Sequence, residues 1–165
     1  MDGRPRYAVR ALPGFSPGQR PPKALESAAA RALQAELDPA APLFSRSHGR
    51  GLVAAAVAHP PVARLGVDIE WVDPRRRMAD IAEHYLGETV DLTPEQFFRG
   101  WTFGEAWFKA FGADPAPDLI RIAGANRSEA PVAVGDAWLL QALPQPGFVL
   151  SLVWRSAPGR PAAAG

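Results

Sequence analysis

Residues 65–76 have the sequence LGVDIEWVDPRR, in which two acidic residues interrupt an apolar segment. Short apolar segments that end at a turn signal such as Asp73-Pro74 are typical of β-strands. Side chains alternate between the faces of a strand, so Asp68 and Glu70 are expected to point the same way. Two neighbouring buried carboxylates are costly unless a cation compensates them, and a hard divalent ion such as Mg²⁺ suits oxygen ligands. The alternatives are an exposed acidic face or a nearby arginine partner.

A second segment, WTFGEAWFK (101–109), lies in a predicted helix over residues 94–111. The helix begins with a capping-box pattern at residues 93–96, and it is rich in Phe and Trp. Glu105 and Lys109 are four residues apart, so both lie on one face of this helix. An exposed pair at this spacing would be a weak surface ion pair. Because aromatic residues surround it in sequence, we expect burial on at least one side.

The remaining elements follow from hydrophobic periodicity and from the positions of Pro and Gly. The pattern predicts strands at 6–12, 43–47, 52–58, 65–72, 118–123, 136–143 and 147–154, and helices at 23–37, 75–86 and 94–111. Irregular interleaving of strands and helices indicates an α+β domain made of two related halves. We expect an N-terminal half over residues 1–62, a C-terminal half over 63–155 that carries the carboxylates, and a disordered tail over 156–165.

Composition excludes several classes of protein. The 165 residues carry a formal net charge of +1, which argues against a dedicated binder of nucleic acid. The absence of cysteine excludes disulfides, thiol nucleophiles and cysteine-ligated metals. No apolar run is long enough to span a membrane, and the first residues do not form a signal peptide. We therefore expect a cytoplasmic protein, and a monomer.

Two further features point to phosphate chemistry. Ser47 and His48 are predicted in a glycine-flanked turn over residues 47–51, where backbone N–H groups and a hydroxyl could meet phosphate oxygens. The alternative is an ordinary polar turn. Lysine occurs only twice, at Lys23 and Lys109, against 16 arginines, so each lysine is a candidate functional residue.

Taken together, FSRSHGRGLVAAAVA (44–58), LGVDIEWVDPRR (65–76) and WTFGEAWFK (101–109) resemble the 4′-phosphopantetheinyl transferase superfamily. The resemblance is to the type that activates surfactin synthetase, shortened at the N-terminus. It implies a pseudo-twofold α+β fold whose two similar halves have small, mostly antiparallel sheets and packed helices. It also implies coenzyme A and Mg²⁺ in the cleft between the halves.

The resemblance further implies a reaction and its residues. A serine hydroxyl of an apo acyl or peptidyl carrier protein attacks the β-phosphate of coenzyme A, the 4′-phosphopantetheine arm is transferred, and adenosine 3′,5′-bisphosphate leaves. Carrier proteins of this kind serve fatty acid, polyketide and nonribosomal peptide biosynthesis. The implied roles are Mg²⁺ binding by Asp68, Glu70 and Glu105, proton acceptance by Glu105, phosphate neutralisation by Lys109, and coenzyme A binding by Ser47, His48, Lys109 and Lys23.

Two alternative functions remain open. Gly104 stands where the family has a lysine, and residues 38–42 stand where it has a Gly-Lys/Arg-Pro segment that helps to seat the adenine. These departures favour, as the alternative, a degenerate member that binds coenzyme A or a carrier protein without efficient turnover. The second alternative is a metal-dependent nuclease or phosphohydrolase that uses the same carboxylates and lysine.

Overall fold

The computed structural model describes residues 3–86 and 92–158. Four helices and seven strands lie within these ranges, and in chain order they are β1 (Arg6–Ala11), α1 (Lys23–Leu37), β2 (Leu43–Gly49), β3 (Leu52–Ala58), β4 (Val62–Trp71), α2 (Met78–Leu86), α3 (Pro94–Phe111), α4 (Pro117–Ala125), β5 (Val132–Val134), β6 (Ala137–Ala142) and β7 (Phe148–Ser156). The predicted α+β class is confirmed.

The strands form two antiparallel sheets with related topology. In the first sheet the order is β1-β3-β2, and in the second it is β4-β7-β6-β5. In the first sheet β1 pairs with β3, the last strand, and β3 also pairs with β2, the strand before it. The second sheet repeats this pattern, because β4 pairs with β7, the last strand, and β7 also pairs with β6. Helices follow the first strand in both halves, α1 after β1 and α2, α3 and α4 after β4. This repeated topology agrees with the pseudo-twofold fold that the sequence predicts.

The core is built in four layers. Val53 and Ala55 of β3 pack with Ala30 and Leu33 of α1 on the outer face of the first sheet. The opposite face of β3 packs on β4 and β7 of the second sheet. The outer face of the second sheet is covered by α3 and α4 through an aromatic cluster that includes Phe98 and Phe103, which are fully buried. The two helical layers therefore enclose the two sheets.

Helix α3 lies unusually close to β4. A Cβ atom placed on Gly66 would lie 1.9 Å from the carbonyl oxygen of Ala106 and 2.9 Å from the backbone nitrogen of Ala110. Only glycine leaves room for a helix backbone at this distance. Gly66 comes two residues before Asp68, and Ala106 comes directly after Glu105. The close approach therefore brings the helix carrying Glu105 and Lys109 onto the strand that carries Asp68 and Glu70.

The strand predicted at 118–123 is wrong, because these residues belong to α4. Pro117 begins this helix at a position where its missing N–H costs nothing. Gly100 and Gly124 allow α4 to lie against α3, since a Cβ on Gly124 would lie 3.0 Å from the carbonyl oxygen of Gln96. A short apolar run does not distinguish a strand from a buried helix by its pattern alone.

Two other local predictions need correction, and one strand was missed. The turn predicted over residues 47–51 is a two-residue turn at Arg50 and Gly51, both of which have positive φ, so Ser47 and His48 lie in β2. The helix predicted from residue 75 begins at Met78, because the Asp73 side chain closes a turn by accepting from the backbone N–H of Arg75. Strand β5 was not predicted.

The tail predicted at 156–165 overlaps β7 at Ser156, and residues 159–165 lie outside the described residues. Among the helices described, none has the combination of length and apolar character needed to cross a lipid bilayer.

Candidate active site between the two halves

Asp68 is the central acidic group of the candidate site. It is 5% exposed, and its Oδ1 accepts hydrogen bonds from Ser47 Oγ at 2.9 Å and from Lys109 Nζ at 2.8 Å. The second carboxylate oxygen, Oδ2, is buried and has no hydrogen-bond partner. Burial raises the pKa of Asp68, and the nearby Lys109 ammonium offsets part of that increase. Asp68 is therefore a carboxylate with one oxygen available to a further cation.

Two serines join the halves at this point. Ser45 Oγ accepts a hydrogen bond from the backbone N–H of Val67 at 2.9 Å, and Ser47 Oγ accepts one from Ile69 at 3.2 Å. Both serines are buried. Their hydroxyls give the backbone N–H groups of Val67 and Ile69 a hydrogen-bond partner, which buried donors need. Ser47 thus positions Asp68 across the seam between β2 and β4.

Glu70 lies on the same face of β4 as Asp68, as the sequence predicts. Its Oε1 accepts from Trp101 Nε1 at 3.2 Å, and its Oε2 lies 3.6 Å from an Arg76 guanidinium nitrogen. The Arg76 guanidinium also lies over the Trp101 ring, 5.6 Å from its centroid. Burial first, and then repulsion from Asp68, raise the pKa of Glu70.

Glu105 is partly buried on α3, one turn before Lys109. Burial raises the pKa of Glu105, the negative charge of Asp68 raises it further, and Lys109 opposes the change. Glu105 in turn contributes to the raised pKa of Glu70. The three carboxylates that the sequence singled out are therefore close enough to repel one another.

These residues fit a bound divalent cation. Within residues 3–86 and 92–158, no three His, Cys, Asp or Glu side chains are already grouped as metal ligands. However, Asp68 Oδ2 is buried and unpartnered, and the mutual repulsion of the carboxylates is the electrostatic situation that a hard cation relieves. Oxygen donors of this kind are those that Mg²⁺ binds in proteins.

His48 points away from Asp68, toward α1. Its Nδ1 lies 3.2 Å from Glu26 Oε2 and its Nε2 lies 3.2 Å from Ser27 Oγ. Glu26 is buried, and its Oε1 accepts from the backbone N–H of Gly51 at 3.0 Å. The structure thus separates Ser47 from His48, because neighbouring residues of a strand face opposite sides.

Lys23 is the first residue of α1 and is exposed. It lies one helical turn before Glu26 and Ser27, which contact His48, so it belongs to the His48 side of the site and not to the Asp68 side. The second lysine, Lys109, is bonded both to Asp68 and, at 3.0 Å, to the backbone carbonyl of Val67.

The chain was compared with known proteins. No family model matches the chain. The 4′-phosphopantetheinyl transferase HetI of Nostoc sp. (strain PCC 7120) is 29% identical over 121 residues, which cover 67% of this chain and 50% of HetI. This similarity supports the resemblance of the chain to the 4′-phosphopantetheinyl transferase superfamily. It spans about half the length of the curated relative that it matches.

Three contacts of the site were not predicted from the sequence. They are made by Glu26 with His48, by Trp101 with Glu70 and by Arg76 with Glu70. Glu26 had a usable signal, because it occupies the buried stripe of α1 together with Ala30 and Leu33.

Proposed function

We propose that this protein transfers the 4′-phosphopantetheine arm of coenzyme A to a serine hydroxyl of an apo acyl or peptidyl carrier protein, with adenosine 3′,5′-bisphosphate as the second product. The observation that carries the proposal is the contact of Lys109 with Asp68, beside Glu70 and Glu105, at the seam between the two halves. One cation and several carboxylates in one place suit the transfer of a phosphoryl-type group. We further propose a cytoplasmic location.

The bond changes assign distinct tasks to the side chains. The carrier serine oxygen forms a bond to the β-phosphorus of coenzyme A, and the bond from that phosphorus to the bridging oxygen breaks. The electron pair of the broken bond stays on adenosine 3′,5′-bisphosphate. Glu105 accepts the serine proton, a role that its partial exposure allows. Lys109 stabilises the negative charge that moves onto the leaving group.

Asp68, Glu70 and Glu105 would hold Mg²⁺, and that ion would neutralise the diphosphate oxygens of coenzyme A. The residues around them keep this arrangement rigid. Ser47 fixes Asp68 from β2, and Trp101 fixes Glu70 from α3. Preorganised charges of this kind lower the barrier because they need not reorient as the reaction proceeds.

The proposal is tested by incubating the protein with coenzyme A, Mg²⁺ and a panel of apo acyl and peptidyl carrier proteins. The expected result is a mass increase of one 4′-phosphopantetheine group on a carrier, together with release of adenosine 3′,5′-bisphosphate. A carrier whose acceptor serine is replaced by alanine is the matched control. An unchanged mass for every carrier would overturn the proposal.

One second candidate is supported by a specific observation. The ammonium of Lys109 lies directly on Asp68, and Gly104, where the family has a lysine, is buried in α3. A member that binds coenzyme A or a carrier without efficient turnover would fit these features. In that case calorimetry would detect coenzyme A binding while the carrier mass stays unchanged. A higher transfer rate in Gly104→Lys than in Gly104→Met would show that the missing charge limits the rate.

A further inference from the structure

Two cationic side chains lie against the carboxylates of the candidate site. Lys109 Nζ donates to Asp68 Oδ1 at 2.8 Å, and a guanidinium nitrogen of Arg76 lies 3.6 Å from Glu70 Oε2. Burial and a neighbouring carboxylate raise the pKa of Glu105, and the charges of Lys109 and Arg76 both oppose this increase. The two cations therefore neutralise part of the negative charge of three carboxylates.

The two contacts differ in kind. Lys109 forms a hydrogen bond to a buried carboxylate. The distance between Arg76 and Glu70 is too long for a hydrogen bond, and their side chains are 37% and 27% exposed. An ion pair of this length and exposure adds little to stability. Arg76 is therefore the counter-ion that can leave its carboxylate at low cost.

The surroundings of Arg76 hold its backbone and leave its head group a second contact. The backbone N–H of Arg76 donates to the carbonyl oxygen of Asp73 at 3.1 Å, in the turn that follows β4. The guanidinium carbon lies 5.7 Å from the ring centroid of Phe98 and 5.6 Å from that of Trp101. Contacts of a cation with aromatic rings do not depend on a carboxylate. The guanidinium can thus move away from Glu70 by rotation of its side chain alone.

Glu70 is also needed by a cation bound in this place. Its Oε1 accepts from Trp101 Nε1 at 3.2 Å, so Oε2, the oxygen beside Arg76, is the one without a hydrogen bond from the indole. Asp68 Oδ2 is buried and has no hydrogen-bond partner, and it lies on the same face of β4. A divalent cation between these two carboxylates would be repelled by a guanidinium that stayed on Glu70. The cation and Arg76 therefore compete for the same carboxylate.

We propose that Arg76 is an exchangeable counter-ion, which neutralises Glu70 in the metal-free protein and gives way when a divalent cation binds. The inference rests on the proposed function, because it concerns the same carboxylate site. The affinity of the site for Mg²⁺ is then set by Arg76 as well as by the carboxylates. A side chain that is not a metal ligand thus controls how readily the site is filled.

The test measures cation binding without coenzyme A or a carrier, so it does not require catalysis. Calorimetry follows the binding of Mg²⁺, and electron paramagnetic resonance follows the binding of Mn²⁺, which takes the same oxygen ligands. Arg76→Gln removes the charge, and Arg76→Lys keeps it. The matched control is Arg77→Gln, which removes the same charge from the next residue, where the exposed side chain pairs with Asp80.

Arg76→Gln should bind both cations about tenfold more tightly than the unsubstituted protein, because no guanidinium has to be displaced from Glu70. Arg76→Lys should bind them less tightly than Arg76→Gln, since an ammonium also opposes a second cation. Arg77→Gln should bind them as the unsubstituted protein does, because its guanidinium pairs with Asp80 and not with a carboxylate of the site.

Thermal unfolding gives an independent readout. The same concentration of Mg²⁺ should raise the unfolding temperature of Arg76→Gln more than that of the unsubstituted protein or of Arg77→Gln. The reason is that a ligand bound more tightly to the folded state stabilises it more at equal concentration. Equal increases in all three proteins would contradict competition by Arg76.

Several results would overturn the inference. They are equal or weaker cation binding by Arg76→Gln, an equal gain in Arg77→Gln, which would indicate an effect of net charge, and no cation binding by any of the proteins. If transfer to a carrier still occurs in these cases, the proposed function stands without this role of Arg76. Conversely, the expected gain in affinity with no transfer to any carrier would support the role of Arg76 and overturn the proposed function.

Discussion

Lys109 Nζ donates to Asp68 Oδ1 at 2.8 Å and to the carbonyl oxygen of Val67 at 3.0 Å, so one ammonium ties α3 to β4 at two neighbouring residues. The side chain of Lys109 is 31% exposed and that of Asp68 is 7% exposed. The pair is therefore open on one side, where a phosphate could reach the ammonium. Lys109 is expected both to stabilise the fold and to serve the reaction, and substitutions can separate these effects.

Lys109→Met should abolish transfer, because the side-chain ammonium that stabilises the leaving group is then lost. It should lower the free energy of unfolding by about 1–2 kcal/mol, less than for a fully buried pair because Lys109 is partly exposed. Lys109→Arg keeps the charge and should keep most of the stability while reducing the rate, since a guanidinium does not reproduce the ammonium geometry. Urea unfolding and the carrier mass assay measure both. Full activity in Lys109→Met would contradict the role.

Asp68→Asn and Glu105→Gln should each reduce transfer by at least about 100-fold while the protein remains folded. Both substitutions keep the side-chain volume and remove the negative charge, so a loss of rate reports on charge and not on packing. Glu129→Gln, in an exposed loop, is the matched control. Near-normal turnover in either site variant would refute the assignment of these carboxylates.

Sequence patterns located the site better than they located its surroundings. Asp68, Glu70, Glu105 and Lys109 were found because their periodicity on a strand and on a helix is local. The bounds of α1 and α3 were also predictable, since Thr93 and Gln96 form the capping box that the structure contains. These features depend only on residues close together in the chain.

What the sequence missed depends on contacts between distant segments. The run 118–123 became a helix because Gly100 and Gly124 allow it to lie against α3. Ser47 turned toward Asp68 and His48 toward Glu26 because β2 continues to Gly49. Neither outcome follows from local propensity, because each is decided by the packing of another element.

Gly66→Ala should separate α3 from β4 and thereby disturb the site without changing any of its polar groups. The added Cβ would lie 1.9 Å from the carbonyl oxygen of Ala106, which is backbone and cannot move aside alone. We expect a loss of about 3 kcal/mol in the free energy of unfolding, together with loss of transfer. Gly49→Ala is the control, since its Cβ would meet only Ile69 O at 3.9 Å. Equal stability of the two variants would contradict the close contact.

The raised pKa values of the carboxylates predict how stability depends on pH. Burial raises the pKa of Asp68, and burial together with repulsion from Asp68 raises the pKa values of Glu70 and Glu105. These groups bind protons more tightly in the folded state than in the unfolded state, so their contribution to stability decreases as the pH rises above about 4. Carboxyls with lowered pKa values, such as Asp73, have the opposite effect, but only at lower pH.

The measurement is the free energy of unfolding from urea titrations between pH 4.5 and 7, compared between the unsubstituted protein and Asp68→Asn. As the pH rises, the free energy of unfolding of the unsubstituted protein should fall relative to that of Asp68→Asn. The reason is that Asp68→Asn removes both the Asp68 charge and its repulsion of Glu70 and Glu105. Mg²⁺ should restore the stability of the unsubstituted protein at pH 7 more than at pH 4.5, since a cation relieves repulsion only between ionised carboxylates. A difference that is independent of pH, or an equal response of Asp68→Asn to Mg²⁺, would rule out a cation site at these carboxylates.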